Sequence, residues 1–142
     1  MTGAIYTDSG NIGINNGAST SAASAFDSNP STFFHTDANN PQPYVQVQLA
    51  SATRVASYTL LSRSWTDADR NLSSFKWEGS EDGITWILLD SRSGQSVGYS
   101  NPSSYTMANP GTYTYYRITI LSLLSTTAVP KINATLCRSQ LF

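Results

Sequence analysis

Residues 44–49 read Tyr44-Val45-Gln46-Val47-Gln48-Leu49, and the alternation of this short run decides the fold class. Side chains of an extended chain point alternately to opposite faces, so Val45, Val47 and Leu49 share one face and Gln46 and Gln48 the other. One apolar and one polar face is the mark of an antiparallel strand with a core on one side and water on the other. Outward from it, residues 50–53 predict a turn and Val55–Leu61 the next strand. Phe75–Gly79 and Thr85–Leu89 flank Ser80-Glu81-Asp82-Gly83, where the Asp-Gly pair signals a hairpin because glycine accepts a positive φ without strain. Tyr113–Leu121 and Ile132–Cys137 supply later strands, and only Ser21–Phe26 suggests a helical turn. Residues 1–20, rich in Gly, Asn and Ser, read as either a first strand or a loose lead-in. Short strands at this spacing, separated by Gly, Pro, Ser and Asn, predict one all-β domain over residues 1–142, an antiparallel β-sandwich of jelly-roll type.

Composition narrows the function classes. The chain has 142 residues, enough for a single hydrophobic core, and only 12% are charged, about half the share in ordinary soluble proteins. Ser, Thr, Asn and Gln take their place and make up more than a third of the chain, a surface suited to neutral polar partners or to copies of itself. A net charge of −1 without a Lys/Arg cluster argues against nucleic acid. The single cysteine, Cys137, excludes an internal disulfide and reads as a small buried side chain in a strand. No apolar run reaches the ~18 residues of a membrane span, and residues 1–13 show no secretory leader. Export after trimming of a leader, or a place on a virion surface, are the two expectations that follow.

Residues 63–71 carry the densest chemistry: Arg63, Trp65, Asp67, Asp69, Arg70 and Asn71. Sugars are recognised by an aromatic face stacked on the C–H side of the ring and by planar groups that bond adjacent hydroxyls. Trp65 meets the first need, and Arg63, Asp69, Arg70 and Asn71 the second. The same residues also fit a solvated turn with surface ion pairs, and both readings stand on composition alone. Trp77 and Trp86, in the two hairpin strands, are expected to pack in the core or on a sheet face. With one histidine, one cysteine and no nucleophile, metal-protease or phosphate-loop motif, the chain is expected not to be an enzyme.

Three pieces taken in order carry a resemblance: Asp27, Asn29, Thr32 and Phe34 in AFDSNPSTFFHT (25–36); residues 41–49; and Ser80, Asp82, Gly83 and Trp86 in SEDGITW. In this the chain resembles the discoidin, or coagulation factor 5/8 type C, family, nearest to bacterial and viral family-32-like carbohydrate-binding modules. The resemblance spans residues 25–136 and implies a galactose-binding-like sandwich with a non-catalytic glycan site. Vertebrate members usually close the domain with a terminal disulfide, so a lone Cys137 points to a bacterial or viral origin. His35 and Arg63 match the family's galactose-binding positions, and either Asp69 or Asn71 falls near the third. The family's stacking aromatics are replaced by Ala38 and by Leu123 and Leu124, which leaves Trp65 as the substitute and weakens the case for galactose itself.

The turn formed by Asp27, Asn29 and Thr32 has a second meaning in that family, as part of a structural calcium site. Its usual companion glutamate falls here on or beside Lys131, whose ammonium would oppose calcium or take its place. A metal-free turn closed by hydrogen bonds is the reading preferred. The expected partner is a glycan, bound weakly per site and therefore through a homo-oligomer or tandem display. The role expected is that of a module of a larger surface protein, or the receptor-binding head of a viral or phage fibre. The alternative is a structural or protein-interaction domain without sugar. Membrane binding ranks below both, since Leu123 and Leu124 are the only apolar spike and no lysines accompany them.

Overall fold

The computed structural model describes residues 3–10, 13–15, 18–19, 21–26, 34–35, 42–62, 72–97, 103–123 and 131–136. Among these are β1 (Ile5–Asp8), β2 (Ile14–Asn15), β3 (Ala18–Ser19), α1 (Ala22–Ala25), β4 (Phe34–His35), β5 (Tyr44–Ser62), β6 (Leu72–Ser80), β7 (Ile87–Arg92), β8 (Ser103–Leu123) and β9 (Lys131–Leu136). All pairings are antiparallel. Two long strands, β5 and β8, build the sandwich by running through both layers. The first half of β5 lies between β1 and the second half of β8, which in turn pairs with β6, and β6 pairs with β7. The second half of β5 lies between the start of β8 and β9, and β9 pairs with β4.

The alternation in residues 44–49 is realised as read: Val45, Val47 and Leu49 are buried, while Tyr44, Gln46 and Gln48 are half-exposed. The opposing residues Tyr116, Ile118 and Ile120 of β8 and Phe75 and Trp77 of β6 complete this wall of the core. Tyr58, Leu60, Phe34 and Met107 belong to the same core cluster. Trp77 is fully buried, as expected, but Trp86 lies outside the strands and packs on the opposite side of the sheet.

Residues 50–53 do not end a strand. β5 passes through them with a break in register between Gln48 and Thr53, and the buried Tyr116 hydroxyl donates to the Thr53 carbonyl at 2.6 Å. The same hydroxyl accepts the Tyr113 N–H at 3.3 Å and lies 3.0 Å from the Gly111 carbonyl, so one side chain ties up the backbone groups that the irregularity frees. Tyr113 itself needs the absence of two side chains: a Cβ on Gly79 or on Gly111 would sit 2.5 Å from its ring. The segment from Ser91 to Pro110 contains the end of β7 and the start of β8.

The Asp-Gly hairpin is present, with a longer loop than a two-residue turn: Gly79 pairs with Ile87. Gly83 takes a φ of 77°, and Asp82 Oδ1 accepts from the N–H groups of Ile84 (2.8 Å) and Thr85 (2.9 Å) and from Ser80 Oγ (3.0 Å). Those backbone donors, Thr85 first, hold the Asp82 carboxyl below its ordinary range. At the amino end, β1 pairs with residues 45–48 of β5, and Asp8 accepts the N–H groups of Gly10 and Ala22, both at 2.9 Å. The ring of Tyr6 stacks on Phe26 at 5.7 Å, which fastens β1 to the residue after α1. Cys137 lies outside the described residues.

A polar network closes the seam between β7 and the start of β8. Tyr58 donates to Asp90 Oδ2 at 2.5 Å, Arg92 Nε donates to the same oxygen at 3.0 Å, and the Ala108 N–H reaches Oδ1 at 3.2 Å. Arg92 Nη2 also donates to the Thr106 carbonyl at 2.7 Å, and its guanidinium lies 5.1 Å from the centre of the Tyr105 ring. Asp90 is only 3% exposed because of a bulge: Trp77 pairs with Asp90 but Glu78 with Leu88, so Leu89 is the extra residue and both it and Asp90 turn inward. Burial, then the bond to Asp90, raises the Tyr58 phenol well above its ordinary value.

Candidate functional site

The register of three strands brings two of the sequence-predicted positions, His35 and Lys131, together at one end of the second layer. β4 is two residues long, and its His35 pairs with Lys131, the first residue of β9. The next residue of β9, Ile132, pairs with Phe34 on one side and with Ser62 on the other. Ser62 is the last residue of β5 and immediately precedes Arg63. His35 and Lys131 therefore pair directly, and Ser62 lies opposite Ile132, one residue further along β9, with about 4.8 Å from one strand to the next.

The arrangement follows from local sequence. Phe34 is fully buried, which anchors β4 beside His35, and Leu60 is buried two residues before Ser62. On the far side of residues 63–71, the chain re-enters the structure at Leu72, which is fully buried, opens β6, pairs with Leu123 of β8 and forms a bridge with Val97. The described core residues on either side of this stretch, Leu60 and Leu72, lie one in each layer. Arg63, Trp65, Asp69, Arg70 and Asn71 themselves lie outside the described residues, as do Asp27, Asn29 and Thr32. Of the sequence-predicted set, the structure places the backbones of His35 and Lys131. Among the described residues, no group of three or more His, Cys, Asp or Glu could hold a metal ion.

Sequence reasoning did not find a second cluster, on the outer face of the first layer. There Arg117 lies between two rings, 3.9 Å from the centre of Trp86 and 5.0 Å from that of Tyr44. Arg117 Nη2 and Lys76 Nζ both approach Glu78 Oε1, at 3.6 and 3.4 Å, and the Trp86 ring meets Tyr115 edge-on at 6.4 Å. The signal was present in the alternation, since Tyr44, Lys76, Glu78, Tyr115 and Arg117 all occupy outward positions of predicted strands. Tyr105 is by contrast no free platform: it stacks on Tyr58 at 5.3 Å, meets Phe75 at 5.5 Å and carries Arg92.

Comparison with known proteins agrees with this architecture. The family model described as F5/8 type C domain matches residues 6–133. No curated protein matches the chain. Among solved structures, CpGH89CBM32-5 from Clostridium perfringens, in complex with GalNAc-β-1,3-galactose, has a TM-score of 0.73 at 17% identity over 92% of this chain and 89% of that one. The C-terminal domain of a chitobiase from Bacteroides fragilis has a TM-score of 0.71 at 18% identity, covering 92% of this chain and 87% of that chain. Chitosan-binding module 1 of a chitosanase/glucanase from Paenibacillus sp. IK-5 has a TM-score of 0.70 at 20% identity, covering 92% and 91%. At such identities these structures speak to the fold, and the family match over nearly the whole chain speaks to descent: this chain belongs to the F5/8 type C, or discoidin, domain family.

Proposed function

We propose that the chain is a non-catalytic carbohydrate-binding module whose glycan site lies where β4, β9 and the end of β5 meet. The observation that carries this reading is the register that pairs His35 with Lys131 and sets Ser62, the end of β5, opposite the next residue, Ile132, in a member of this family. Neighbours in fold bind GalNAc-β-1,3-galactose and chitosan, which favours a glycan ligand without naming which. In this reading Arg63 bonds ring hydroxyls, His35 exchanges a hydrogen bond with one of them, Trp65 stacks on the apolar face, and Asp69, Arg70 and Asn71 complete the polar set. The module works outside the cell or on a surface, attached to a larger protein or displayed in several copies, because one such site binds weakly.

The calcium turn is assigned as metal-free. Lys131 starts the strand paired with β4, which the turn leads into, and a cationic side chain at that position does not suit a calcium donor set. Chelator is expected to leave both glycan binding and the melting temperature unchanged; a fall in melting temperature on adding EGTA, reversed by calcium, would overturn this assignment.

A glycan array of the wild type beside Arg63→Ala tests the function. Binding by the wild type and its loss in the variant, with the melting temperature within about 2 °C, is the expected result. Arg63→Ala that unfolds would make Arg63 structural. A blank array with the domain displayed multivalently would favour the protein-interaction reading. One observation speaks for that alternative: Ile84, Leu88 and Ile87, around the start of β7, are 82%, 52% and 43% exposed.

A further inference from the structure

We propose that the outer face of the first layer is a second glycan-binding surface, separate from the strand end that holds His35, and that it takes a neutral oligosaccharide chain. It rests on the module's glycan-binding reading but uses none of the same residues. Cross-strand pairing sets out the face in rows: Thr7, Gln46, Arg117 and Glu78 in one, and Ile5, Gln48, Tyr115 and Ser80 in the next. The rows lie about 6.7 Å apart along the strands, and neighbours within a row about 4.8 Å.

Two kinds of group remain available on this face. Among the described residues, the side-chain amides of Gln46 and Gln48 make no hydrogen bond, although both are half-exposed and each offers a donor and an acceptor in one plane. The half-buried Trp86 ring has one face on the Arg117 guanidinium and meets Tyr115 in a T-shaped contact; among the described residues no other ring or cation engages it. Gln46 and Gln48 pair across the strands with Arg117 and Tyr115, the two residues that Trp86 touches. An indole with planar amides on the same face is the complement of a sugar ring, with its apolar C–H side and adjacent hydroxyls. Arg117 is backed by Tyr44 and loosely paired with Glu78, so the indole rests on a supported guanidinium.

Charge selects among the occupants. Arg117 and Lys76 share the Glu78 carboxylate, and Glu81 and Asp82 are exposed in the adjoining hairpin loop. Among the described residues of these rows and the hairpin loop, two cations against three carboxylates give no net positive charge to draw a sulfated polymer or an anionic membrane. The groups left over are uncharged amides and a ring, which matches a neutral glycan. Ile5, exposed beside Gln48 on the edge strand, adds an apolar contact where the chain would leave the face.

The test is an NMR titration of the isotope-labelled protein with neutral β-galactan and chitin tetrasaccharides, run on the wild type, on Arg63→Ala and on Gln46→Ala/Gln48→Ala. Expected are shifts of the Gln46 and Gln48 side-chain amides and the Trp86 indole that persist in Arg63→Ala. The double variant should bind at this face about tenfold more weakly, as the loss of two hydrogen bonds predicts. Trp86→Phe, which keeps a ring over Arg117, should weaken it less. Shifts confined to the strand end and abolished by Arg63→Ala would overturn this proposal and leave the proposed function standing. No shifts anywhere would overturn both. Stronger perturbation of the same three side chains by a heparin tetrasaccharide would overturn the neutral assignment.

Discussion

Two polar clusters, built from nearly the same residue types, do different work in this molecule. Asp90, Arg92, Tyr58 and Tyr105 sit at the seam of the layers, and Glu78, Arg117, Tyr44 and Trp86 on an outer face; each joins a carboxylate, a guanidinium and aromatic rings. What separates them is the carboxylate. Asp90 is buried and receives donors from Tyr58, Arg92 and the Ala108 N–H, whereas Glu78 keeps contact with water. A carboxylate in water can exchange a lost partner for solvent, and a buried one cannot. The seam cluster is therefore a structural lock, and the outer one a surface with modest energetic weight.

Asp90→Ala should give the largest effect. It leaves the Arg92 guanidinium, the Tyr58 hydroxyl and the Ala108 N–H without their acceptor, and should cost about 3–5 kcal/mol in urea denaturation, close to unfolding a marginal domain. A loss below about 1 kcal/mol would mean that water reaches the seam and that the two clusters are alike.

Alkaline pH sharpens the comparison next, because burial shields the seam phenol of Tyr58 and the core phenol of Tyr116. Burial pushes Tyr116 up to about 12, and Tyr58 further. An unfolded phenol ionises near 10, so the fold favours the protonated form. Stability is then fully present below pH 10 and falls as the pH rises through 10 to 12, when the unfolded state gives up protons that the folded state keeps. Urea midpoints measured at pH 8, 10 and 11.5 should show this decline. In Tyr58→Phe, less stable at neutral pH by roughly 1–2 kcal/mol, the decline should be shallower, since one titrating group is gone.

How much of this could be read in the sequence depends on the range of the interaction. The alternation of residues 44–49 and the Asp-Gly hairpin are local: the first gave its strand and buried face, and the second gave the turn and its first strand but set the return strand at Thr85–Leu89, where the structure has Ile87–Arg92. The bulge at Leu89 defeats local reading: a regular strand that buries Leu89 would expose Asp90, and only the pairing with Trp77 and Glu78 turns both inward. The same holds at residues 50–53, where a turn is the natural reading until Tyr116, far along the chain, supplies the hydroxyl that stabilises a continuous strand. Trp77 and Trp86 look equivalent in sequence, yet one closes the core and the other covers Arg117 from outside. Family resemblance pointed to His35 and Lys131 separately; their pairing is a product of topology, which no local pattern encodes.

Glu78→Ala closes the comparison with the smallest expected change. Glu78 holds Arg117 and Lys76 at 3.6 and 3.4 Å, distances of loose ion pairs between partly exposed side chains, and such pairs contribute about 1 kcal/mol or less. Arg117 loses a carboxylate but keeps the Trp86 ring at 3.9 Å and Tyr44 behind it, and a guanidinium stacked in this way is stabilised by about 0.5–2 kcal/mol on its own. The indole should stay in place, so tryptophan fluorescence and the urea midpoint should both lie close to the wild type. If Glu78→Ala instead destabilised the fold as much as Asp90→Ala, the outer cluster would be a second lock. Trp86 would then be explained by packing alone, and the case for a ligand on that face would weaken with it.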